Sequence, residues 1–214
     1  MQGDIKINTV HVGMIGTNCY IVYKDNTESL REAIIIDPGD DADKIYDKVE
    51  ELGVKPVAIL LTHGHFDHIL AVNQVASKYN IDIYASEKEE SLLGDAMLNL
   101  SGGYRRDCIV KEYIKLCDGQ ELEVANIKFK TILTPGHTGG SMCYYIENED
   151  VLFSEDMLFR ESVGRTDFPT GSESQIINSL NNKLMKLEDK VEVYPGHGPA
   201  TTIGYERVNN MYVI

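Results

Sequence analysis

Thr62-His63-Gly64-His65-Phe66-Asp67-His68 packs four side chains able to bind a metal into six residues. The stretch before it, Pro56-Val57-Ala58-Ile59-Leu60-Leu61, is short, apolar and partly β-branched, which predicts a buried strand delivering the histidines to a sheet edge. In an extended chain successive side chains alternate faces, so His63 and His65 point the same way. Beyond them Ile69, Val72, Ala76 and Tyr79 recur at helical spacing, so Asp67 and His68 stand where a helix over 67–79 begins. The cluster can therefore divide its ligands between two adjacent sites.

Working outward, strand-like and helix-like segments alternate with no low-complexity linker and no tandem repeat. Ile5–Val10, Cys19–Tyr23 and Ala33–Ile36 read as strands, and Asp37-Pro38-Gly39-Asp40 interrupts them. A helix follows, capped by Asp40 or Asp41, with Ile45, Val49 and Leu52 as its apolar stripe and Gly53 as its stop. Ile81–Ala85 is a further strand. Residues 86–110 form a mixed segment ending in Ser101-Gly102-Gly103-Tyr104-Arg105-Arg106, able to cover a site. The second half predicts strands at Tyr113–Leu116, Glu121–Val124, Ile127–Leu133, Met142–Ile146, Val151–Phe153 and Val191–Tyr194. Ser172 and Gln175 make a capping box for a helix striped by Ile176, Leu180, Leu184 and Leu187, and a short helix around Ile203–Asn210 closes the chain. Two β-rich halves with helices outside predict a four-layer α/β sandwich, and a length of 214 residues suits one large domain, 1–214.

Composition narrows the function. A net charge of −14 argues against nucleic acid or an anionic membrane as partner. The first residues, Met1-Gln2-Gly3-Asp4-Ile5-Lys6, lack the pattern of a signal peptide, and no apolar run is long enough to span a bilayer, so a cytoplasmic protein is expected. Cys19, Cys108, Cys117 and Cys143 form no C-x-x-C pair and read as reduced, structural thiols.

All histidines except His11 fall at or just beyond the ends of predicted strands, where loops converge. His137 lies in Thr134-Pro135-Gly136-His137-Thr138-Gly139-Gly140, His197 in Pro195-Gly196-His197-Gly198, and Asp156 follows Val151-Leu152-Phe153. Imidazole nitrogen and carboxylate oxygen bind zinc and similar ions at about 2.0–2.2 Å, with a position left for water in a catalytic site. Seven such ligands suit two divalent metals, zinc first and iron or manganese as alternatives, sharing an activated water. A purely structural cluster or a non-catalytic metal site are the competing readings. Asp37 either hydrogen-bonds a ligand histidine from behind or simply forms a turn before proline. Arg165, Tyr104, Arg105 and Arg106 are candidates to receive an anionic substrate.

His63-x-His65-x-Asp67-His68 with His137, Asp156 and His197 resembles the metallo-β-lactamase superfamily over nearly the whole chain. Asn18-Cys19-Tyr20, Gly164-Arg165-Thr166-Asp167-Phe168 and Tyr194-Pro195-Gly196-His197-Gly198-Pro199-Ala200-Thr201 look like the small glyoxalase II-like hydrolases. The resemblance implies an αβ/βα sandwich of two mixed sheets with the site at one edge. It implies that His63, His65 and His137 bind one metal, that Asp67, His68 and His197 bind the other, and that Asp156 bridges them. Asp67 would also orient the attacking hydroxide in cleavage of a small thioester or ester. Antibiotic hydrolysis is disfavoured, because true β-lactamases generally carry cysteine at the place of Asp156.

Two departures bear on substrate and metal. Related sequences commonly read Ser-Gly-Asp-Thr-Leu-Phe where this chain reads Ser154-Glu155-Asp156-Met157-Leu158-Phe159, which sets an extra carboxylate beside the bridge. Longer glyoxalase II enzymes add a C-terminal helical region that helps hold glutathione, whereas this chain stops soon after His197, leaving glutathione recognition open. Two alternative activities share the ligands: a persulfide dioxygenase, with one iron on His63, His137 and Asp156, and a metal-dependent lactonase. Nucleases of the superfamily need basic surfaces or added domains that are not apparent here.

Overall fold

The structure, a computed structural model, describes residues 4–25, 31–104 and 106–214. Its first sheet takes β1 (Ile5–Val12), β2 (Thr17–Lys24), β3 (Glu32–Ile36), β4 (Lys55–Leu60), β5 (Asp82–Ser86) and β6 (Ile114–Leu116) in that spatial order. The first two pairings are antiparallel, and β3 through β6 run parallel. Helix α1 (Ala42–Leu52) forms the β3 to β4 crossover; α2 (Phe66–Ile69) and α3 (Val72–Tyr79) lie between β4 and β5, and α4 (Glu90–Leu93) follows β5. The second sheet contains β7 (Glu121–Val124), β8 (Ile127–Leu133), β9 (Met142–Ile146) and β10 (Val151–Glu155). A small hairpin, β11 (Leu158–Phe159) and β12 (Ser162–Val163), and helix α5 (Glu173–Asn182) then lead to β13 (Glu192–Pro195), β14 (Thr201–Thr202) and α6 (Ile203–Asn209). The second sheet's spatial order is β14-β13-β10-β9-β8-β7.

Strand alternation generates the layers. In β2, Tyr20 and Val22 face the second sheet while Cys19, Ile21 and Tyr23 pack beneath the helical layer of Ile45, Val49, Val72 and Val75. In β3, Ile34 and Ile36 face inward and Ala33 and Ile35 outward. The second sheet mirrors this: Met142, Tyr144, Val151 and Phe153 fill the space between sheets, whereas Cys143, Tyr145 and Leu152 meet Ile176, Leu180, Leu184 and Ile203 on the far side. Three apolar interfaces thus separate four layers, αβ/βα, as expected. Strands buried on both faces need continuous apolar runs such as Ala33-Ile34-Ile35-Ile36, which explains why periodicity alone reads weakly there.

Three local expectations are corrected. The helix over 67–79 is broken, because the Ala71 N–H donates to Pro38 O at 3.1 Å and α2 ends at Ile69. Asp41 precedes α1 but makes no side-chain cap; its carboxylate takes the Gly13 N–H at 3.1 Å instead. Ser172 likewise makes no side-chain cap at α5, its hydroxyl lying 3.2 Å from that of Ser174. Among the described residues, no helix is long and apolar enough to cross a membrane. All four cysteines are free, as expected.

The two sheets are joined directly beneath the histidine loop. Met142 N–H donates to Thr62 O at 2.9 Å, and the buried Tyr144 hydroxyl donates to Leu61 O at 2.7 Å. Tyr144→Phe should therefore cost about 1–2 kcal/mol of unfolding free energy, read from the denaturant midpoint, since the lost bond is fully buried. An unchanged midpoint would show that the bond contributes nothing.

Candidate metal centre

Strand polarity brings the chemistry to one edge. β8 and β10 both run antiparallel to β9, and β13 runs parallel to β10, so β8, β10 and β13 end on the same side. Their ends deliver His137, Asp156 and His197. Across the interface β3 and β4, mutually parallel, deliver Asp37 and the segment His63–His65, and the first turn of α2 supplies Asp67 and His68.

These seven predicted ligands meet in two groups. Donor atoms of His63, His65 and His137 lie within 4.8 Å of one another, and so do those of Asp67, His68 and His197. Within the first, His65 Nδ1 is 2.8 Å from His137 Nε2; within the second, His197 Nε2 is 3.1 Å from Asp67 Oδ2. Asp156 lies between them. Its Oδ1 is 3.6 Å from His68 Nε2, and its Oδ2 is 3.6 Å from both His137 Nε2 and His197 Nε2.

The buried donor atoms fit cations. His63 Nε2, His65 Nε2, His68 Nε2 and Asp156 Oδ1 have no hydrogen-bond partner among the described residues. Each unmet buried polar atom costs about 1–3 kcal/mol, so a cluster of them at one point calls for an additional partner. Divalent metals satisfy imidazole and carboxylate atoms together.

The far sides of His68 and His137 are held by hydrogen bonds from the protein. His68 Nδ1 is 2.9 Å from Asp37 Oδ2, and Asp37 also accepts the Thr62 N–H at 2.9 Å and the Thr62 hydroxyl. Of the two readings of Asp37, the structure thus selects the hydrogen bond to a histidine of the cluster. His137 Nδ1 lies 2.8 Å from Arg165 O; a carbonyl only accepts, so Nδ1 carries the proton and Nε2 the lone pair. Glu155 points inward, not away. It adopts a left-handed backbone, φ 51°, at the irregularity where β10 pairs with β13, and its fully buried carboxylate sits 2.9 Å from His63 Nδ1.

Electrostatics favour the ligand forms of His63, His65 and Asp67, whereas His68 holds a proton that a cation would have to displace. Burial, reinforced by the other histidines, pushes His63 well below its usual range and His65 down to about 3, so both are neutral, as metal ligands must be. Burial also pulls His68 down, but Asp67, Asp156 and Asp37 outweigh it and raise His68 to about 10. Burial pushes Asp67 up, yet His68 and His197 hold it below the usual carboxylate range. Burial, with Asp156, Asp37 and Glu89 nearby, raises Glu155 strongly.

Several supporting residues carry little sequence signal. Asn18 donates its backbone N–H to Gly196 O at 2.8 Å and its amide to the carbonyls of Pro195 and Gly198, both at 3.0 Å. The Tyr20 hydroxyl adds a bond to Pro195 O at 2.6 Å. Asn18-Cys19-Tyr20 therefore grips the turn bearing His197, and Gly196 is required there because a Cβ would lie 2.2 Å from Asp156 Oδ1. Thr17 donates its hydroxyl to Asp67 Oδ2 at 3.1 Å. Glu89, fully buried, accepts the Gly64 N–H between the two histidines at 3.0 Å and also bonds Thr138 and Gly140 beside His137. Nothing in its acidic, helical neighbourhood marks it in the sequence.

A cavity of about 390 Å³ opens over the two groups, walled by Ile15, Phe66, Leu100, Phe159 and Phe168. Sequence reading missed all five as walls. Phe66, Phe159 and Phe168 lay in segments already singled out, but for their neighbours and not as walls. Of the four predicted substrate residues, Arg165 lines the cavity. Arg106 does not: it donates to Leu70 O at 2.7 Å, reaching back over the α2–α3 break. Tyr104 stacks on Phe66 at 4.6 Å and is not part of the cavity wall, and Arg105 lies outside the described residues.

The family described as "Metallo-beta-lactamase superfamily" matches residues 12–197, a span that includes every residue of both groups. The chain belongs to the metallo-β-lactamase superfamily. Among similar curated proteins, the probable metallo-hydrolase YqgX of Bacillus subtilis is 36% identical over 211 residues, covering 98% of each chain. Hydroxyacylglutathione hydrolase GloC of Haemophilus influenzae is 30% identical over 212 residues, again covering 98% of each. Among solved structures, BLEG-1 B3 metallo-beta-lactamase superposes with a TM-score of 0.91 at 38% identity, over 97% of this chain and 99% of that one. TTHA1623 in a di-iron-bound form gives 0.84 at 31%, covering 96% and 100%. ETHE1 from Myxococcus xanthus gives 0.78 at 27%, covering 96% and 83%. Superfamily membership and the two His/Asp groups together point to a site for two divalent ions.

Glu89 provides a pH test of how the ligand loops are held. Burial lifts its carboxyl to about 7 from the ordinary 4.5, against the pull of its three donors. The folded state thus holds this proton more tightly than the unfolded chain, a stabilisation fully present below pH 4.5 and lost as pH rises through about 7. In metal-free protein, Glu89→Gln should remove this slope, changing the stability difference from wild type by on the order of 3 kcal/mol between pH 4 and 8. A difference constant with pH would contradict it.

Proposed function

We propose that the chain acts as a single metal-dependent hydrolase domain, spanning 1–214, that cleaves a small thioester or ester. The observation that supports this most directly is Asp156, which lies 3.6 Å from nitrogens of both groups at the floor of the cavity. In this reading His63, His65 and His137 hold one divalent ion, Asp67, His68 and His197 a second, and Asp156 bridges them. Bound there, the two ions supply Lewis acidity, lowering the pKa of water toward neutrality and polarising the substrate carbonyl. Zinc suits the mixed nitrogen and oxygen donors, and the di-iron form of TTHA1623 makes iron the first alternative to assay.

The protein's own residues do the positioning. Asp67, ionised and fixed by Thr17, orients the attacking water. Asp37 and the Arg165 carbonyl hold the His68 and His137 rings from behind, so their geometry is set before substrate arrives. Phe159 and Phe168 exclude water from either side of the carbonyl. The likeness to GloC supports thioester cleavage of the hydroxyacylglutathione type, and four free cysteines fit a cytoplasmic setting.

A second reading, persulfide dioxygenase with one iron, is supported by the likeness to ETHE1; the intact second group of Asp67, His68 and His197 favours the hydrolase. The likeness to BLEG-1 places a β-lactam among the substrates to assay. Counting metals per chain and assaying the same sample for lactoylglutathione hydrolysis and for oxygen uptake with glutathione persulfide separates the two main readings. Two metals and hydrolysis without oxygen uptake are expected; one tight iron with persulfide-dependent uptake would replace the hydrolase reading. Chelation should abolish hydrolysis and added divalent ion restore it. His65→Ala, Asp67→Ala and Asp156→Ala should each reduce kcat at least about a thousandfold. Full activity in Asp67→Ala would refute its orienting role.

A further inference from the structure

The walls of the cavity differ in chemistry from its floor. Among the described residues, the polar groups lining the cavity are those of the two His/Asp groups and Arg165, while the rest of the lining is aliphatic or aromatic. The Phe168 ring stands edge-on to His65, with centroids 5.4 Å apart, and Phe159 stands edge-on to His197 at 6.2 Å. Each half of the floor therefore has an aromatic wall of its own.

Leu100 is held in this wall at a conformational cost. Its backbone is left-handed, φ 70°, a region unfavourable for a branched side chain, and the flanking residues impose it. Asn99 accepts the Ser101 N–H on its side chain at 2.9 Å, donates to Cys108 O at 2.8 Å, and its carbonyl accepts the Phe66 N–H at 2.9 Å. The same bonds tie Leu100 to Phe66 on the adjacent wall. Opposite them Ile15 stands 53% exposed at the tip of the β1–β2 hairpin.

The charge pattern is equally selective. Histidines aside, Arg165 is the one basic residue lining the cavity among the described residues, and its Nε and Nη2 already donate to Asp167 at 2.7 and 2.6 Å. Its guanidinium carbon also lies over the Phe168 ring, 3.9 Å from the ring centre. An incoming carboxylate must compete with Asp167 for Arg165, so among the described residues the rim offers no uncompensated positive charge. Two divalent ions on the floor would face Asp67 and Asp156, with Asp37 behind His68, and these carboxylates would offset most of the field that could draw an anion.

We propose that this cavity selects an uncharged, apolar acyl chain on the scissile carbonyl, seated between Leu100, Phe66, Phe159 and Phe168, in preference to a small polar acyl group on an anionic thiol. The proposal rests on the hydrolase reading and specifies its substrate class. Burying apolar surface against preformed walls contributes about 0.8 kcal/mol per methylene, so rate should climb with chain length until the cavity is full.

The test is a matrix of thioesters on the metal-loaded protein: acetyl and hexanoyl groups, each on neutral N-acetylcysteamine and on anionic glutathione. Hexanoyl-N-acetylcysteamine should exceed the acetyl compound in kcat/KM by about tenfold or more, with no gain on moving to glutathione. Leu100→Ala and Phe168→Ala should each lower the hexanoyl to acetyl ratio by about fivefold or more, a within-variant comparison insensitive to altered folding or metal content. Equal rates for the two acyl groups, or a tenfold preference for the glutathione thioesters, would overturn the proposal. Failure of the hydrolase reading is distinguishable by calorimetry with non-hydrolysable thioethers. If no thioester is cleaved but S-hexyl-N-acetylcysteamine binds at least about tenfold tighter than S-methyl, the apolar selectivity stands and the reaction assignment falls; equal binding overturns the selectivity itself.

Discussion

Asn18 on the first sheet donates to the carbonyls of Pro195 and Gly198 on the second, and Met142 on the second donates to Thr62 on the first. These bonds cross the interface beside the histidine loops, and the relative placement of the two His/Asp groups depends on them. Each sheet brings a partial set. The first contributes His63, His65, Asp67 and His68, and the second contributes His137, Asp156 and His197, so neither group is complete until the sheets pack. The apolar space filled by Tyr144, Phe129 and Phe153 supplies the driving force, and the polar bonds at its edge set the register.

Burying so many ionisable groups is costly unless each is opposed. The structure meets part of the cost by pairing from behind, with Asp37 on His68 and the Arg165 carbonyl on His137. What these contacts leave bare faces one point, and that is where cations belong. Glu89 applies the same device to the backbone, joining Gly64 to Thr138 and Gly140, so that histidines from different sheets are held by one carboxylate. Strain is tolerated where it aims a side chain at the cavity or its ligands, as at Glu155 and Leu100.

The cavity walls come from a different part of the chain than the candidate metal ligands. Ligands come from strand ends, whose polarity fixes them rigidly. Walls come from the hairpin tip at Ile15, the loop at Leu100, and the segments around Phe159 and Phe168. A rigid floor with loop-borne walls lets one reaction centre serve different substrates by changing a few apolar residues.

His63-x-His65-x-Asp67-His68 was legible because its ligands are adjacent in sequence, and His137, Asp156 and His197 were legible because glycine or turn residues follow apolar strands. The layering was legible too, since Ala33–Ile36 and Met142–Ile146 are apolar throughout and must be covered on both faces. Arg106 and Glu89 show the limit of such reading. One looks like a substrate residue and turns back to Leu70; the other looks like a solvated helix charge and is buried between the ligand loops. Sequence alone therefore determined which residues can bind metal and how the strands are covered, because both follow from residue type and local spacing. Only the tertiary structure decided which carboxylate backs which histidine and which side chains wall the cavity. Those depend on contacts such as Asn18 with Pro195 and His65 with Phe168, between residues far apart in the chain, whose meeting is set by packing and not by local periodicity.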